Sequence, residues 1–195
     1  MDKATQESAG LPLGEDRDAL LMVRAAAGDS LAFEELVIRN QSAAWALAVH
    51  YLGDAAEAED IVQEAFLKLL RAAPRYQPTA RFRTYLSRIV VRLCLDYRAK
   101  KRPAYREDLP DRADTARDPE AVLHNEETTK EIRRALEDLP PAQRMALLLR
   151  HLEGFTYTEI AVAMSTSAKA VDSLLQRARQ ALCGRLDFIK NHFQM

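Results

Sequence analysis

Apolar side chains recur every three or four positions along most of this chain, and Gly, Pro and Asp interrupt them. That period predicts amphipathic helices. Residues 16–27 read as the first, ended by Gly28-Asp29. Ser30 is placed to cap a second, which runs to about Tyr51 with Phe33, Leu36, Val37, Trp45, Leu47 and Val49 as core candidates. Leu52-Gly53 stops it, and Asp54 caps a third over 55–71. Its apolar set is Ile61, Val62, Ala65, Phe66, Leu69 and Leu70. Pro74 and Pro78 frame a loop, APRYQPTA. A fourth helix is expected over 82–99, ended by Pro103, with Phe82, Leu86, Ile89, Leu93 and Tyr97 as its core stripe.

Residues 103–127 hold Pro103, Pro110 and Pro119, many acids and few large apolar side chains, the composition of a linker. Periodicity returns at 128–139 and breaks at Pro140-Pro141. PAQRMALLLRHLEG predicts another helix, ended by Gly154. In FTYTEIAVAMSTSAKAVDSLLQRARQAL, Thr156 and Glu159 fit a capping box. Ile160, Ala161 and Met164 form the buried side of a short helix, and Ser165-Thr166-Ser167 a tight polar turn. Val171, Leu174, Leu175, Ala178 and Leu182 face inward on a longer helix. This is a helix-turn-helix pattern, although spacing alone also suits a plain helical hairpin. The expected fold is all-α. Two small helical domains, 16–102 and 128–187, are joined by an acidic flexible linker at 103–127, with tails at 1–15 and 188–195.

Composition removes several classes of function. Gly is scarce, at 6 of 195 residues, while Ala, Leu, Arg and Glu favour helices. Cys94 and Cys183 are far apart, and His50, His124, His151 and His192 pair with neither them nor each other at metal-ligand spacing, so no metal or cofactor is expected. The polar N-terminus has no apolar signal region, and no apolar run approaches the ~20 residues of a membrane span. The expectation is a cytoplasmic protein without membrane insertion. No nucleophile–base set and no phosphate-cradling Gly loop is present, so no catalysis is expected.

A formal net charge of -1 conceals segregated blocks. Asp54, Glu57, Glu59, Asp60 and Glu64 stand together without a base. Between Arg71 and Arg106 arginines and lysines accumulate, and Asp96 is the sole acid. Acids dominate again from Glu107 to Asp138. A basic block neutralises phosphates even on a neutral chain. On the fourth helix Arg81, Tyr85, Arg88 and Arg92 make a second stripe beside the core stripe. The helix dipole accounts for Arg98, Lys100, Lys101 and Arg102 at its end, but not for Arg81, Arg88 and Arg92. Arginines with a tyrosine suit a single strand whose bases stack. Tyr76, Gln77 and Thr79, in the loop before it, are groups that can receive an unstacked base.

Two blocks now carry a resemblance. GDAAEAEDIVQEAFLKLLRAAPRY with RFRTYLSRIVVRLCLDYRAKKRP resembles the second conserved region of bacterial sigma factors. LEDLPPAQRMALLLRHLEGFTYTEIAVAMSTSAKAVDSLLQRARQAL resembles their fourth. The two-domain layout is similar to the extracytoplasmic-function (ECF) group, over about 16–187. The resemblance implies that Asp60, Gln63, Glu64 and Phe66 grip the clamp helices of the largest polymerase subunit. It implies that Tyr76, Gln77, Arg81, Arg83, Tyr85, Arg88 and Arg92 capture a flipped base and the melted −10 strand. Many relatives carry Trp where Tyr85 stands. The last helix would read the −35 duplex through Ser167, Lys169, Ala170, Ser173 and Gln176, with Arg177 and Arg179 on phosphates. Asp172 and Leu174 stand where many relatives are basic, and Asp172 would suit a cytosine amino group.

The resemblance thus implies an alternative sigma factor whose partners are core RNA polymerase, promoter DNA and an anti-sigma factor. A competing expectation is a sigma-like decoy that sequesters an anti-sigma factor without binding DNA.

Overall fold

In the computed structural model, which describes residues 16–101 and 134–192, each of the first three helices starts at an aspartate. Asp16 caps α1 (Arg17–Ala26), Asp29 caps α2 (Ser30–Leu52), and Asp54 caps α3 (Ala55–Ala72). Each carboxylate accepts backbone N–H groups that the first helical turn leaves without partners. The cap of α2 is therefore Asp29, not Ser30 as the sequence suggested; Ser30 is already helical. Asp29 also takes Arg24 Nε and Nη2 at 3.0 and 2.6 Å. The Ala32 N–H, with Arg24 beside it, holds the Asp29 carboxyl below its usual range. Gly53 ends α2 at φ 83, a left-handed conformation suited to glycine.

After α3 a 3-10 turn, Ala73–Arg75, leads to α4 (Phe82–Lys100). Arg81 offers α4 no side-chain cap. Asp16 supplies it from 66 residues away, because its second oxygen accepts the Phe82 N–H at 2.7 Å. One carboxylate thus starts two helices. Of the expected α4 core, Phe82, Leu86 and Leu93 are buried, while Ile89 and Tyr97 are half-buried. Val90, Val91 and Cys94 are buried as well. Trp45 does not join the core; it is 43% exposed, on a face of α2 shared with exposed Leu31 and Ile38.

The second domain contains α5 (Pro141–His151), α6 (Tyr157–Ala163) and α7 (Ala168–His192). Pro140 is the N-cap residue of α5 and Pro141 its first residue, where a missing N–H costs nothing. The expected capping box is present: Thr156 and Glu159 satisfy each other's backbone N–H groups at the start of α6. Ser165, at φ 53, turns the chain toward α7, whose backbone stays helical to His192 and so passes the boundary expected at 188. The linker at 103–127 lies outside the described residues.

Among the described residues every regular element is helical. The two domains do not stand apart. One cluster of buried apolar side chains runs from Leu36, Tyr51, Phe82 and Val91 into Met145, Leu149, Phe155, Ile160 and Leu175. Arg144 is buried at the junction, 3% exposed, and its Nη2 donates to the His50 carbonyl at 2.8 Å. Its guanidinium lies 5.5 Å from the Tyr51 ring, and that of Arg98 lies 5.9 Å from the same ring. Two cations thus meet the C-terminal end of α2, where carbonyls are unpaired and the dipole is negative.

Candidate polymerase and nucleic-acid surfaces

The acidic face lies on α3. Asp60, Gln63 and Glu64 are exposed there, on the side turned away from Ile61, Val62 and Ala65. Glu64 pairs with Lys68 at 3.2 Å across one turn. Exposed pairs of this kind contribute little, ~0.3–0.5 kcal/mol, and yield readily to a partner. Phe66 differs from the other three. It is 7% exposed and packs in the core, so it supports the acidic face from beneath. Leu67 and Leu70 are the exposed large apolar residues of this helix, so Leu70, a member of its apolar period, lies on the solvent side.

The loop before α4 is held by aromatic packing. Tyr76 meets Tyr85 edge-on at 5.2 Å and Phe82 at 6.4 Å. Its hydroxyl is buried without a hydrogen-bond partner, and burial pushes its pKa up to about 12. The two tyrosines expected to stack on bases therefore stack on each other. Gln77 beside them is exposed. A base entering this loop would replace one aromatic contact with another, and would offer the Tyr76 hydroxyl polar atoms.

The arginines of α4 divide into two sets. Arg88 and Arg92 are exposed, and Arg92 pairs with Asp96 at 3.8 Å across one turn. Arg81 and Arg83 face the second domain. Arg83 Nε and Nη2 both reach Glu153 Oε2, at 2.7 and 2.6 Å, and the Phe155 ring lies 5.4 Å from the same guanidinium. The Glu153 side chain is 4% exposed and that of Arg83 50%. Arg81 stands 4.0 Å from Glu159. Beyond them a cleft of about 230 Å³ separates Arg88, Val91, Arg92 and Leu95 from Ala163, Met164 and Ser165.

On α7, Lys169, Gln176, Arg177 and Arg179 are exposed, whereas Ala170 and Ser173 are half-buried. The Ser167 hydroxyl accepts the Ala170 N–H at 3.2 Å, as an N-cap does. Ser173 donates to the Lys169 carbonyl at 3.1 Å. Both hydroxyls thus begin from local bonds: Ser167 keeps its donor and one acceptor position, and Ser173 keeps two acceptor positions. Asp172 is exposed on the same turn.

Sequence reasoning missed Arg144, Glu153, Phe155 and Glu159 as members of this surface. Only Glu159 carried a visible signal, its capping box, and that signal points to a local role. Among the described residues no group of His, Cys, Asp and Glu could hold a metal ion, and no helix is long and apolar enough to cross a membrane.

Comparison with known proteins matches both halves of the chain. Residues 36–103 fit the family model of sigma-70 region 2, and residues 129–182 that of sigma-70 region 4. The RNA polymerase sigma-H factor of Pseudomonas aeruginosa is 32% identical over 187 residues, covering 87% of this chain and 94% of its own length. The ECF RNA polymerase sigma-E factor of Escherichia coli is 32% identical over 176 residues, covering 85% and 92%. Among solved structures, CnrH in complex with the cytosolic domain of CnrY aligns at a TM-score of 0.69 and 27% identity, over 88% of this chain and 98% of that one. The sigma factor RpoE of Bartonella quintana, in complex with the anti-sigma factor NepR, shares the fold at a TM-score of 0.62 and 20% identity, over 80% and 96%.

Proposed function

We infer the roles of these surfaces from one premise: the chain belongs to the sigma-70 family, and within it to the ECF sigma factors. It is a regulatory protein of transcription, acting with bacterial core RNA polymerase in promoter-directed initiation. Its partners are the core enzyme, promoter DNA and an anti-sigma factor. We assign it no chemical step of its own, and we place it in the cytoplasm, where the polymerase works.

Asp60, Gln63 and Glu64 on α3 are the contact to a basic surface of the polymerase, with Phe66 holding that turn in place. Arg88 and Arg92, with Arg81 and Arg83, follow the phosphates of the melted −10 strand, and Tyr76, Gln77 and Tyr85 take up an unstacked base. The start of α7 enters the major groove at −35. Lys169 and Gln176 reach toward base edges, Ser167, Ala170 and Ser173 shape the approach, and Arg177 and Arg179 meet phosphates.

The observation that carries this reading is the division of charge within one domain. Three exposed polar or acidic groups stand on α3, while the adjacent α4 exposes arginines and no acid before Asp96. Two partners of opposite charge can therefore be held at once. A decoy that only sequesters an anti-sigma factor has no use for the second face.

Run-off transcription with core enzyme tests it. Promoter-specific transcripts are expected only when the protein is added. D60A/E64A should weaken core binding by about tenfold, the effect of roughly 1.4 kcal/mol. R88A/R92A should leave core binding intact and abolish promoter melting, read by permanganate reactivity of unpaired thymines. Core binding by the unaltered protein without any melted promoter would favour the decoy.

A further inference from the structure

We propose that Asp16 is a positioning residue for capture of the −10 strand: its carboxylate fixes the start of α4, and with it the loop that carries Tyr76 and Gln77. The inference rests on the assignment of that loop and of the α4 face to the strand.

The first turn of a helix has N–H groups without partners, and a cap stops it from fraying. Arg81 gives α4 no side-chain cap. An arginine kept at this position for phosphates leaves the cap to come from elsewhere. The loop before it is lightly bonded: the Tyr76 N–H reaches the Ala73 carbonyl at 3.0 Å, and the Thr79 N–H reaches the Gln77 carbonyl at 2.9 Å. What ends the loop is the Asp16 Oδ2, which accepts the Phe82 N–H at 2.7 Å. That bond fixes the peptide between Arg81 and Phe82. The Phe82 side chain is fully buried, its ring meets the Tyr76 ring at 6.4 Å, and Tyr76 meets Tyr85 at 5.2 Å. Both tyrosines thus depend on backbone that the carboxylate holds. The helix that Asp16 begins, α1, packs against the 3-10 turn and against α4, the elements at the two ends of the loop. Asp16 also faces the loop aromatics directly: after burial, its charge is the next cause that pushes the Tyr76 hydroxyl up to about 12.

A base is captured tightly only if the rings and guanidinium groups that receive it are ordered beforehand, since ordering them on binding costs affinity. Asp16 does not itself offer the strand a contact. Its oxygens are taken by the Asp18, Ala19 and Phe82 N–H groups. It also fills the N-terminal end of α4, where open N–H groups would attract a phosphate away from the arginines.

The test uses holoenzyme containing the full chain, unaltered or D16N. Asparagine still caps α1 through its oxygen, because Asn and Asp are equivalent N-caps, but its amide then meets the Phe82 N–H donor against donor. D29A, which loses the cap of α2, controls for a general loss of stability. Strand affinity is read by anisotropy of a labelled single-stranded oligonucleotide carrying the −10 sequence mapped by run-off transcription. Base capture is read by the fluorescence change of 2-aminopurine placed in turn at each −10 position. D16N should bind core enzyme as the unaltered chain does. It should bind the oligonucleotide about tenfold more weakly, because the loop must then be ordered on binding, and lose the 2-aminopurine signal. D29A should keep both. D16S, which also caps α1 and cannot reach Phe82 at the same time, repeats the readings if D16N folds poorly by circular dichroism. Unchanged affinity and signal in the Asp16 variants overturn the proposal. Equal losses in D29A overturn it too, since stability alone would then account for them. Tighter binding by D16N also overturns it, because Asp16 would then only block an anion site. Failure of the −10 assignment itself shows elsewhere, as R88A/R92A holoenzyme that still melts the promoter.

Discussion

Asp16 does two jobs with one carboxylate, accepting the Asp18 and Ala19 N–H groups of α1 with one oxygen and the Phe82 N–H of α4 with the other. D16A should lower stability by about 2 kcal/mol, read as a lower urea midpoint, because a single lost cap already costs about 1 kcal/mol. Asp29 makes its contribution sensitive to acid. Its folded carboxyl lies below the ordinary value of 3.8, so the stability it adds is complete above the ordinary aspartate range and lost as pH falls through the folded value. The gap in stability between the unaltered protein and D29N should accordingly shrink in acid, as seen in melts across pH. The cysteines differ by burial: Cys94 is buried, with its thiol pushed up to about 12, and Cys183 is exposed. One thiol should react with a disulfide reagent in the native chain and two in denaturant. Local roles were legible in the sequence, as Asp54 and Thr156–Glu159 illustrate, since a cap and its targets lie within three residues. The link from Asp16 to Phe82 was not, because nothing in a local pattern records a partner 66 residues away.

Among the elements, α4 is where the helical period explained least. Its expected stripe is one face, and the helix packs against α2, α3 and α6. Val91 and Leu95 sit off that stripe: Val91 joins the buried cluster that includes Ile160 of α6, and Leu95 lines the cleft facing Met164, an arrangement visible only once the second domain is in place. α2 poses the converse case. It is apolar around most of its circumference, so periodicity could not say which side is core, and Trp45 was placed inside. Element ends were more legible. T156A should cost about 1 kcal/mol, seen in the denaturation midpoint, as for other lost hydroxyl caps. G53A combines a left-handed φ with a methyl group that would lie 3.3 Å from Glu137 Oε1. It should lower stability by about 1–2 kcal/mol in the same measurement.

For the whole molecule, the candidate surfaces were more legible than their relation to each other. Charge blocks and two motifs point to α3, α4 and α7, because exposed function leaves its residue types in the sequence. The junction uses a buried arginine, two glutamates and ordinary apolar residues, which no composition marks. One core through both domains means that they should unfold together, as a single calorimetric transition. R144A removes one of the two cations at the end of α2, the buried one, and should lower overall stability by about 2–4 kcal/mol, with the two halves beginning to melt apart.

The same junction has a consequence in time. Glu153 lies about seventy residues after Arg83, so a ribosome releases α4 well before the groups that cover it. At ~5–20 residues per second, the interval is about 4–14 s. For that period the α4 face that we propose holds the strand is uncovered, as is the apolar surface at Val91. Arrested chains ending after residue 101 should capture single-stranded DNA that chains arrested after α7 has emerged do not, and equal capture by both would show that release order leaves this face unaffected.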